Sequence, residues 1–307
     1  MEQNKKVIVL LATYNGALYL REQLDSITHQ IYDNIEIMVR DDGSTDGTIE
    51  ILKEYEEKSL IQATYGENIG PIKSFFWLAK NAKEADYYSF ADQDDIWLPE
   101  KISRAVEHLD KGDNHLPQIY FSNFDFCDPQ MNFIRSSPTL SHPESLVRVL
   151  VGSQLAVGFT LVFNVEIKKL IDDAAPFDLK IYGHDQWFTL MGVTLGTIIY
   201  DPVVTAKHRR HERNVSDYKV NFIQLQKERV KHFIVNNEQK VIIDTGAQFY
   251  QLYKKEMGKE NRKMFELFIN RKYSFVKALE KCFFPERYRD KWFDEIAIRV
   301  LFLVGKM

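Results

Sequence analysis

The stretch VIVLLATYNG, residues 7–16, joins an unbroken apolar run to a polar turn. The apolar residues before Thr13 are too few for a signal peptide or a membrane-spanning helix, and they match the length of a buried strand. In a parallel α/β sheet, ligands bind just beyond the carboxyl ends of the strands. The stretch therefore predicts a first buried strand followed by a loop that can contact a ligand.

The first 125 residues repeat this alternation of short apolar runs and segments of helical period, which is typical of a mostly parallel sheet. Five strands are predicted, at Val7–Ala12, Ile35–Arg40, Ile61–Tyr65, Tyr87–Ala91 and Gln118–Phe124. A covering helix is predicted from one apolar face, formed by Leu20, Leu24, Ile27 and Ile31. Further helices are expected after Gly47, after Pro71 and at Pro99.

The pattern beyond residue 125 is mixed. It predicts a strand over Leu155–Phe163, a helix from about His184 and a strand over Thr197–Tyr200. After Asp217 the chain is charged, aromatic and nearly free of proline and glycine, which predicts a helical C-terminal module over 218–307.

The composition is that of a globular protein: 45% of the 307 residues are hydrophobic and 27% are charged. A net charge of -4 without a polybasic tract argues against nucleic acid as the main partner. Cys127 and Cys282 match no metal or redox spacing, which favours a reducing compartment, the cytoplasm.

Two acidic clusters follow predicted strands. Asp41-Asp42-Gly43-Ser44 comes after the second strand and Asp92-Gln93-Asp94-Asp95 after the fourth. Either cluster alone is explained by a turn and a helix cap. Together they would place five carboxylates at one rim, where mutual repulsion favours a hard divalent cation, Mg²⁺ or Mn²⁺, and a phosphate ester as its further ligand.

Three motifs, Ala12–Gly16, Asp41–Gly47 and Asp92–Pro99, resemble those of family 2 glycosyltransferases with the GT-A fold. The resemblance covers roughly residues 5–215, and DQDDIW is similar to bacterial rhamnosyltransferases of cell-surface polysaccharide synthesis. It implies a Rossmann-like, mostly parallel sheet flanked by helices, with a helical C-terminal extension. The catalytic domain would span 1–217, with a nucleotide-sugar half to about 125 and an acceptor half from 126.

The resemblance implies an inverting transfer of a sugar, first of all L-rhamnose from dTDP-rhamnose, to a hydroxyl of a glycan or lipid-linked glycan. A UDP-hexose donor is the alternative. In this pattern Asp42 meets the imide of the base, and Asp92 lies near the ribose or a metal-bound water. The implied nucleotide-binding residues are Ala12, Thr13, Tyr14, Asn15, Asp41, Asp42, Asn68, Lys73, Asp92 and Gln93.

The same resemblance makes Asp94 the metal ligand on the diphosphate, while His211 completes the metal shell or contacts phosphate. Asp185, within Gly183–Trp187, matches the acidic residue that acts as base, although a helix cap also explains it. Sugar or acceptor contacts are expected from Trp97, His184, Trp187, Arg209 and Arg210. The alternatives for these five are core packing for the aromatic residues and a solvated basic loop, which includes Arg213, for the arginines.

Three other classes of protein compete with a glycosyltransferase, and the motifs of the chain argue against two of them. A dinucleotide oxidoreductase would carry Gly-x-Gly-x-x-Gly after the first strand, and a nucleotidyltransferase would carry a glycine-rich basic loop there; neither is present. A non-catalytic carbohydrate-binding protein stays an alternative.

The C-terminal segment 271–307 holds nine Lys or Arg and five Asp or Glu, interleaved with aromatic residues. This pattern predicts that the segment contacts the anionic inner face of the cell membrane. The alternative is that its aromatic residues pack against a second subunit or against the catalytic domain.

Overall fold

The computed structural model describes residues 5–173, 181–211, 238–270 and 272–305, which fall into two compact units. The first unit contains 5–140, 156–173 and 196–211. The second contains 141–155, 181–195, 238–270 and 272–305. The units alternate along the chain, whereas the sequence predicted one boundary at residue 217, which lies outside the described residues.

The amino-terminal half of the sheet is parallel. Its strands are β1 (Val7–Thr13), β2 (Ile35–Asp41), β3 (Gln62–Tyr65) and β4 (Tyr87–Ala91). They lie in the order β3-β2-β1-β4, and every neighbouring pair is parallel. The carboxyl ends of β1, β2 and β4 therefore meet at one edge, where the two acidic clusters begin.

The other half is mixed. It contains β5 (Ile96–Trp97), β6 (Gln118–Cys127), β7 (Phe133–Ser136), β8 (Val162–Asn164) and β9 (Thr197–Arg209). The order continues from β4 as β8-β6-β9-β5, with β7 paired to β6. Only the β6–β9 pair is parallel here, while β8 and β5 run antiparallel to their neighbours. The five predicted strands are confirmed as β1 to β4 and β6.

Helices of the first unit cover this sheet. They are α1 (Leu20–Thr28), α2 (Thr48–Glu57), α3 (Pro71–Asn81), α4 (Lys101–Asp110) and α6 (Val165–Asp173). The helix between the last two in the chain, α5 (Leu146–Leu150), belongs to the second unit. Leu20, Leu24 and Ile27 of α1 join the buried core as predicted. Ile31 does not, because α1 ends at Thr28 and leaves Ile31 exposed.

Two predicted elements differ in the structure. Of the strand expected over Leu155–Phe163, only Val162 and Phe163 fall in a strand, β8, while Gly158–Thr160 form a short 3₁₀ turn. The strand expected over Thr197–Tyr200 continues to Arg209, because it pairs along the whole length of β6. His208 and Arg209 are therefore strand residues, and the prediction of a basic loop at this point is wrong.

The second unit is helical. It contains α5 (Leu146–Leu150), α7 (His184–Leu195), α8 (Glu238–Tyr253), α9 (Lys259–Phe268), α10 (Phe275–Cys282) and α11 (Trp292–Leu303). The predicted helix near His184 is confirmed, and so are helices in the described part of the C-terminal module predicted over 218–307; residues 218–237, 271, 306 and 307 of that module lie outside the described residues. Among the residues that the structure describes, no helix is long and apolar enough to cross a membrane.

Candidate active site

Gln93 ties the loop after β1 to the loop after β4. Its Oε1 accepts hydrogen bonds from Thr13 Oγ1 at 2.7 Å and from the Tyr14 backbone N–H at 2.9 Å, and its Nε2 donates to Tyr14 O at 3.2 Å. A Cβ at Gly16 would lie 2.3 Å from Gln93 Oε1, so any larger residue there would displace the Gln93 amide from these hydrogen bonds. The two loops thus form one polar surface at the edge of the sheet.

The loop after β1 is also tied to the loop after β2. Asn15, which has a positive φ of 49°, donates from its backbone N–H to Ser44 Oγ at 2.8 Å and accepts from the Thr45 N–H at 2.8 Å. The Gly16 N–H donates to Thr48 Oγ1 at 2.8 Å. These reciprocal bonds satisfy polar groups at the edge and hold the strand ends in register with one another.

Asp41 shapes the turn after β2. Its fully buried carboxylate accepts from the backbone N–H groups of Gly43 and Ser44, at 3.1 and 2.9 Å, and from Ser44 Oγ at 2.5 Å. Gly43 has a φ of +79°, a conformation that side chains other than glycine rarely adopt. The structure therefore gives Asp41 the turn-capping position that its motif alone predicts.

Asp42 holds the loop between β3 and α3. Oδ1 accepts from Ser74 Oγ at 2.6 Å and pairs with Arg40 Nε at 3.1 Å, while Oδ2 accepts from the N–H groups of Ile69 and Gly70 at 3.2 and 2.9 Å. Asn68 and Lys73 flank these donors and are exposed. Both carboxylate oxygens of Asp42 thus hold the segment that contains Asn68 and Lys73, two of the residues expected to bind the nucleotide. The sequence did not predict this structural role of Asp42.

Asp94 and His211, both expected at the metal, meet in the structure. His211 Nε2 lies 2.8 Å from Asp94 Oδ2, and each side chain is largely buried. The His211 ring also contacts the ring of Tyr19, with ring centres 4.9 Å apart and the planes tilted by 35°. Asp92 is half-buried two residues earlier.

His211 lines a cavity of about 500 Å³ at this edge of the sheet. The volume suits a small polar ligand such as a nucleotide. The other residues around it come from the loops after β1, β2 and β4, namely Tyr14, Asn15, Gly16, Leu18, Tyr19, Thr45, Asp46 and Gln93. Tyr14, Asn15 and Gln93, three of the residues expected to bind the nucleotide, therefore line this cavity together with Thr45 and Asp46 of the second motif, while Leu18 and Tyr19 carry no signal in the sequence alone.

Asp95 points away from the solvent and pairs with His208. His208 Nδ1 lies 2.8 Å from Asp95 Oδ1, which also accepts the Arg209 N–H at 3.2 Å. Complete burial raises the pKa of Asp95, against the opposing effect of His208. Burial opposes a charge on His208 as well, but the neighbouring carboxylate outweighs it and raises the pKa of His208. The carboxylate and the imidazole are thus tightly paired within the core, next to Asp94, and their protonation is coupled.

Arg209 is buried, and its guanidinium contacts four protein groups. Nε donates to Asp94 O at 3.0 Å, Nη1 to Pro129 O at 2.6 Å and Nη2 to Glu22 Oε2 at 2.6 Å, and Cζ lies 4.3 Å from the ring centre of Tyr19. This differs from the expected contact with a sugar or phosphate, because the donors are already directed at protein acceptors. Arg210 is half-buried and lies over Phe126, and Arg213 falls outside the described residues.

The two tryptophans expected at the sugar or acceptor are core residues. Trp97 is 2% exposed in β5, with Lys101 Nζ 4.8 Å from its ring centre. Trp187 is fully buried in the second unit against Phe249 and Tyr253. For both residues the structure favours the packing alternative over direct contact with a ligand.

Asp185 lies in the first turn of α7 with a half-buried carboxylate. Oδ2 accepts from Gln154 Nε2 at 2.6 Å, and Oδ1 accepts from the Gln186 N–H at 2.8 Å. A Cβ at Gly183 would lie 2.5 Å from Oδ1, so this glycine leaves room for the carboxylate. Burial lowers the pKa of the neighbouring His184, which keeps its ring neutral near pH 7.

The donor set suits a hard divalent ion with few protein ligands. Among the described side chains no group of three or more His, Cys, Asp or Glu is arranged around a common point for a metal. Asp94 and His211 provide one carboxylate oxygen and one imidazole nitrogen beside the cavity. Mg²⁺ and Mn²⁺ sites of this kind take their remaining ligands from water and from substrate phosphates.

Comparisons with known proteins agree with this geometry. The family model described as Glycosyl transferase family 2 matches residues 8–145. An uncharacterized glycosyltransferase of Rickettsia typhi is 30% identical over 227 residues, which cover 71% of this chain and 68% of that protein. The dTDP-rhamnosyl transferase RfbG of Shigella flexneri is 40% identical over 105 residues, covering 32% of this chain and 36% of that protein.

Among solved structures, the S. aureus protein TarS, residues 1–349 in complex with UDP, is similar in fold. The TM-score is 0.57 at 21% identity, and the match covers 92% of this chain and 75% of that one. The predicted GT-A fold is thereby confirmed. The family model and the coverage of the Rickettsia typhi relative lead to one conclusion: this chain belongs to glycosyl transferase family 2 and is a glycosyltransferase.

Proposed function

We propose that this chain is an inverting, metal-dependent enzyme that transfers L-rhamnose from dTDP-rhamnose to a hydroxyl of a glycan or lipid-linked glycan in cell-surface polysaccharide synthesis. The observation that carries the proposal is the cavity at the carboxyl edge of the sheet, with Asp94 and His211 paired beside it. The similarity to RfbG supports rhamnose as the sugar. The UDP bound to TarS makes a UDP-hexose the competing donor.

The nucleotide would lie along the loops after β1, β2 and β4. Ala12 to Asn15 would contact the base and ribose, Gln93 would keep Tyr14 in place, and the Asp42-held loop would present Asn68 and Lys73. Asp94 and His211 would hold Mg²⁺ or Mn²⁺, in keeping with the divalent metals that this family commonly uses. The ion, when bound, neutralises charge on the leaving diphosphate.

Asp185 would act as the general base. As the acceptor oxygen forms its bond to the anomeric carbon, the carboxylate takes the hydroxyl proton, and the bond from that carbon to the diphosphate oxygen breaks with its electron pair on the diphosphate. The single displacement inverts the anomeric centre. Gln154 would keep the carboxylate oriented through its 2.6 Å hydrogen bond.

The place of action proposed is the cytoplasmic side of the cell membrane, where nucleotide sugars and lipid-linked acceptors would meet. The two cysteines of the chain are both free thiols, which is in keeping with a reducing compartment.

A panel of nucleotide sugars tests the donor. With Mn²⁺ present, dTDP-rhamnose should raise the melting temperature more than UDP-glucose, UDP-N-acetylglucosamine or GDP-mannose at equal concentration, because a ligand that binds only the folded state stabilises it by mass action. Slow release of dTDP from the same donor would separate an enzyme from a carbohydrate-binding protein. If only a UDP-sugar stabilised the protein, the donor would be that UDP-sugar and not dTDP-rhamnose.

A further inference from the structure

The turn after α5 carries the side chain that orients the proposed base. We define the base-side turn as residues 151–154, which belong to the second unit. Its last residue, Gln154, donates from Nε2 to Asp185 Oδ2 at 2.6 Å. Among the described residues, the other donor to this carboxylate is the Gln186 backbone N–H, at 2.8 Å. Because the Gln154 side chain is exposed and not held by packing, its place depends on the backbone of the turn.

The loop between α10 and α11 holds the base-side turn. Arg289 donates from Nη2 to Val151 O at 2.8 Å, and from Nη1 to Ser153 Oγ. The Ser153 hydroxyl donates in turn to Tyr288 O at 2.9 Å. Two successive residues of the C-terminal helical segment therefore bind two of the four residues of the turn.

The same loop also holds the segment that precedes the turn. The buried Arg148 of α5 donates from Nη2 to Asp290 Oδ2 at 2.6 Å. Ser141 Oγ donates to the other oxygen of Asp290 at 3.1 Å, and Ser145 Oγ donates to Glu286 Oε2 at 2.9 Å. The turn and the helix before it are thus anchored to residues 286–290 along their length.

Arg289 is itself held in place and charged. Glu295 of α11 is buried, and its Oε2 accepts from the backbone N–H groups of Tyr288 and Arg289, at 2.8 and 2.9 Å. Burial, and after it the like charge of Arg148, lowers the pKa of Arg289 to about 10, so the guanidinium stays charged near pH 7. Its hydrogen bonds to the turn are therefore charge-assisted, which makes them stronger than bonds between neutral groups.

We propose that Arg289 is a positioning residue for Asp185, and that the C-terminal helices thereby take part in the transfer reaction. Arg289 fixes the base-side turn, the turn places Gln154, and Gln154 directs the carboxylate. The inference rests on the proposed function, in which Asp185 is the general base. Because a displacement of about 1 Å can slow a reaction about 10²-fold, loss of this support should appear in kcat. Donor affinity should not change, since the expected donor-binding residues belong to the first unit.

A double-mutant cycle tests the inference in the full chain. Arg289→Lys keeps the charge, but an ammonium cannot reach both acceptors on the turn at once, so kcat should fall about tenfold with donor affinity within about twofold. In an Asp185→Asn background the same change should alter kcat by less than about twofold, because no base remains to be positioned. The matched control is Arg262→Lys, an exposed arginine of the same unit that donates to Met257 O, and it should behave like the parent.

Release of the nucleotide diphosphate measures kcat, and the thermal shift with nucleotide sugar and Mn²⁺ measures donor affinity. A parent-like kcat for Arg289→Lys, a loss that persists undiminished beside Asp185→Asn, or an equal loss of donor affinity would each overturn the inference. Thermal unfolding checks that the variants fold. Ser153→Ala, which removes one acceptor and leaves the arginine intact, should lower kcat in the same direction, and a parent-like kcat for it would also count against the inference.

The cycle separates this inference from the proposed function. If Asp185→Asn itself kept the kcat of the parent, the assignment of the base would fail, and the inference would fail with it. If Asp185→Asn were slow while Arg289→Lys kept the kcat of the parent, only the role of Arg289 would be wrong.

Discussion

Two adjacent carboxylates, Asp94 and Asp95, lie at the centre of this site in different environments. Asp94 keeps some exposure and pairs with His211 beside the cavity, whereas Asp95 is fully buried and pairs with His208. A carboxylate that can be reached from solvent can bind a cation, while a fully buried one that is paired within the protein can only support its neighbours. The two residues are therefore expected to respond differently to substitution, although they are one bond apart in sequence.

Substitution Asp94→Ala should abolish metal-dependent stabilisation by the nucleotide sugar and reduce turnover at least about 10³-fold, because the diphosphate loses its main electrostatic partner. The fold should survive, since the side chain is not part of the core. Thermal shift with and without Mn²⁺ measures the binding, and release of the nucleotide diphosphate measures turnover. Metal-stimulated activity near that of the parent would remove Asp94 from the metal site.

Substitution Asp185→Asn should leave donor affinity within a few-fold and lower kcat by about 10² or more, which is the usual effect of losing a general base. The amide keeps the size of the side chain at the start of α7 but cannot take the proton. Asp113→Asn, in an exposed turn, is the control. Equal losses of donor affinity and kcat would instead assign Asp185 to binding.

At the scale of elements, β5 and β9 assemble the site through their antiparallel pairing. Ile96 pairs with Lys207 and Trp97 with Ala206, so the residues just before β5 lie beside the residues that end β9. This register brings Asp95 to His208 and places Asp94 next to Arg209 and His211. A two-residue strand thus fixes contacts between groups more than a hundred positions apart.

The sequence predicted the elements whose period is strong and local. The runs that became β1 and β4 are buried on both faces, and that of β2 is buried toward its carboxyl end; their length and apolar character distinguish them from helices. The loops after them, with Asp41 and Asp94, followed from the rule that ligands bind beyond the carboxyl ends of parallel strands. The extension of β9 could not be predicted, since it depends on pairing with β6 and not on its own residues.

The burial of Arg209 shows where sequence reasoning reaches its limit. The run His208–Arg213 has the composition of a solvated basic loop. Its partner Glu22 lies 187 residues earlier in the chain, and no local pattern connects the two. Asp42 is a similar case. Its hydrogen bond with Ser74 depends on where α3 begins, and Asp42 itself holds the loop before that helix, so no local pattern predicts the bond.

Arg209 is expected to act as a positioning residue for Asp94. A lysine ammonium cannot reach the separate acceptors on Asp94, Pro129 and Glu22 at once, so Arg209→Lys should loosen the loop. We expect the Mn²⁺ concentration for half-maximal donor binding to rise about tenfold, with a smaller change in kcat. Arg104→Lys, which alters the ion pair between the partly exposed Arg104 and the buried Asp201, is the control for stability alone. An unchanged metal dependence would limit Arg209 to a structural role.

At the scale of the whole molecule, the burial of Lys101 in the first unit links the stability of the fold to pH. Lys101 is fully buried, with Nζ 3.4 Å from Thr160 O, and burial lowers its pKa to about 7 against the weaker attraction of Asp95. In the unfolded chain its pKa is the ordinary 10.5. Between these values the unfolded state binds the extra proton, so stability rises with pH across this window.

The free energy of unfolding should therefore gain about 2 kcal/mol from Lys101 between pH 7 and pH 9, since each pH unit inside the window contributes about 1.4 kcal/mol. His208 contributes to the pH dependence with the opposite sign. Its pKa is raised in the folded protein, so the stability that it contributes is lost as pH rises through that raised pKa. A comparison of two variants separates the contribution of Lys101 from that of other groups. Lys101→Met should remove the gain in the free energy of unfolding, whereas Lys111→Met, which changes an exposed lysine, should keep it. Urea unfolding at the two pH values measures both. A gain that persists in Lys101→Met would mean that Lys101 is charged in the folded protein, held by Asp95 in spite of its burial.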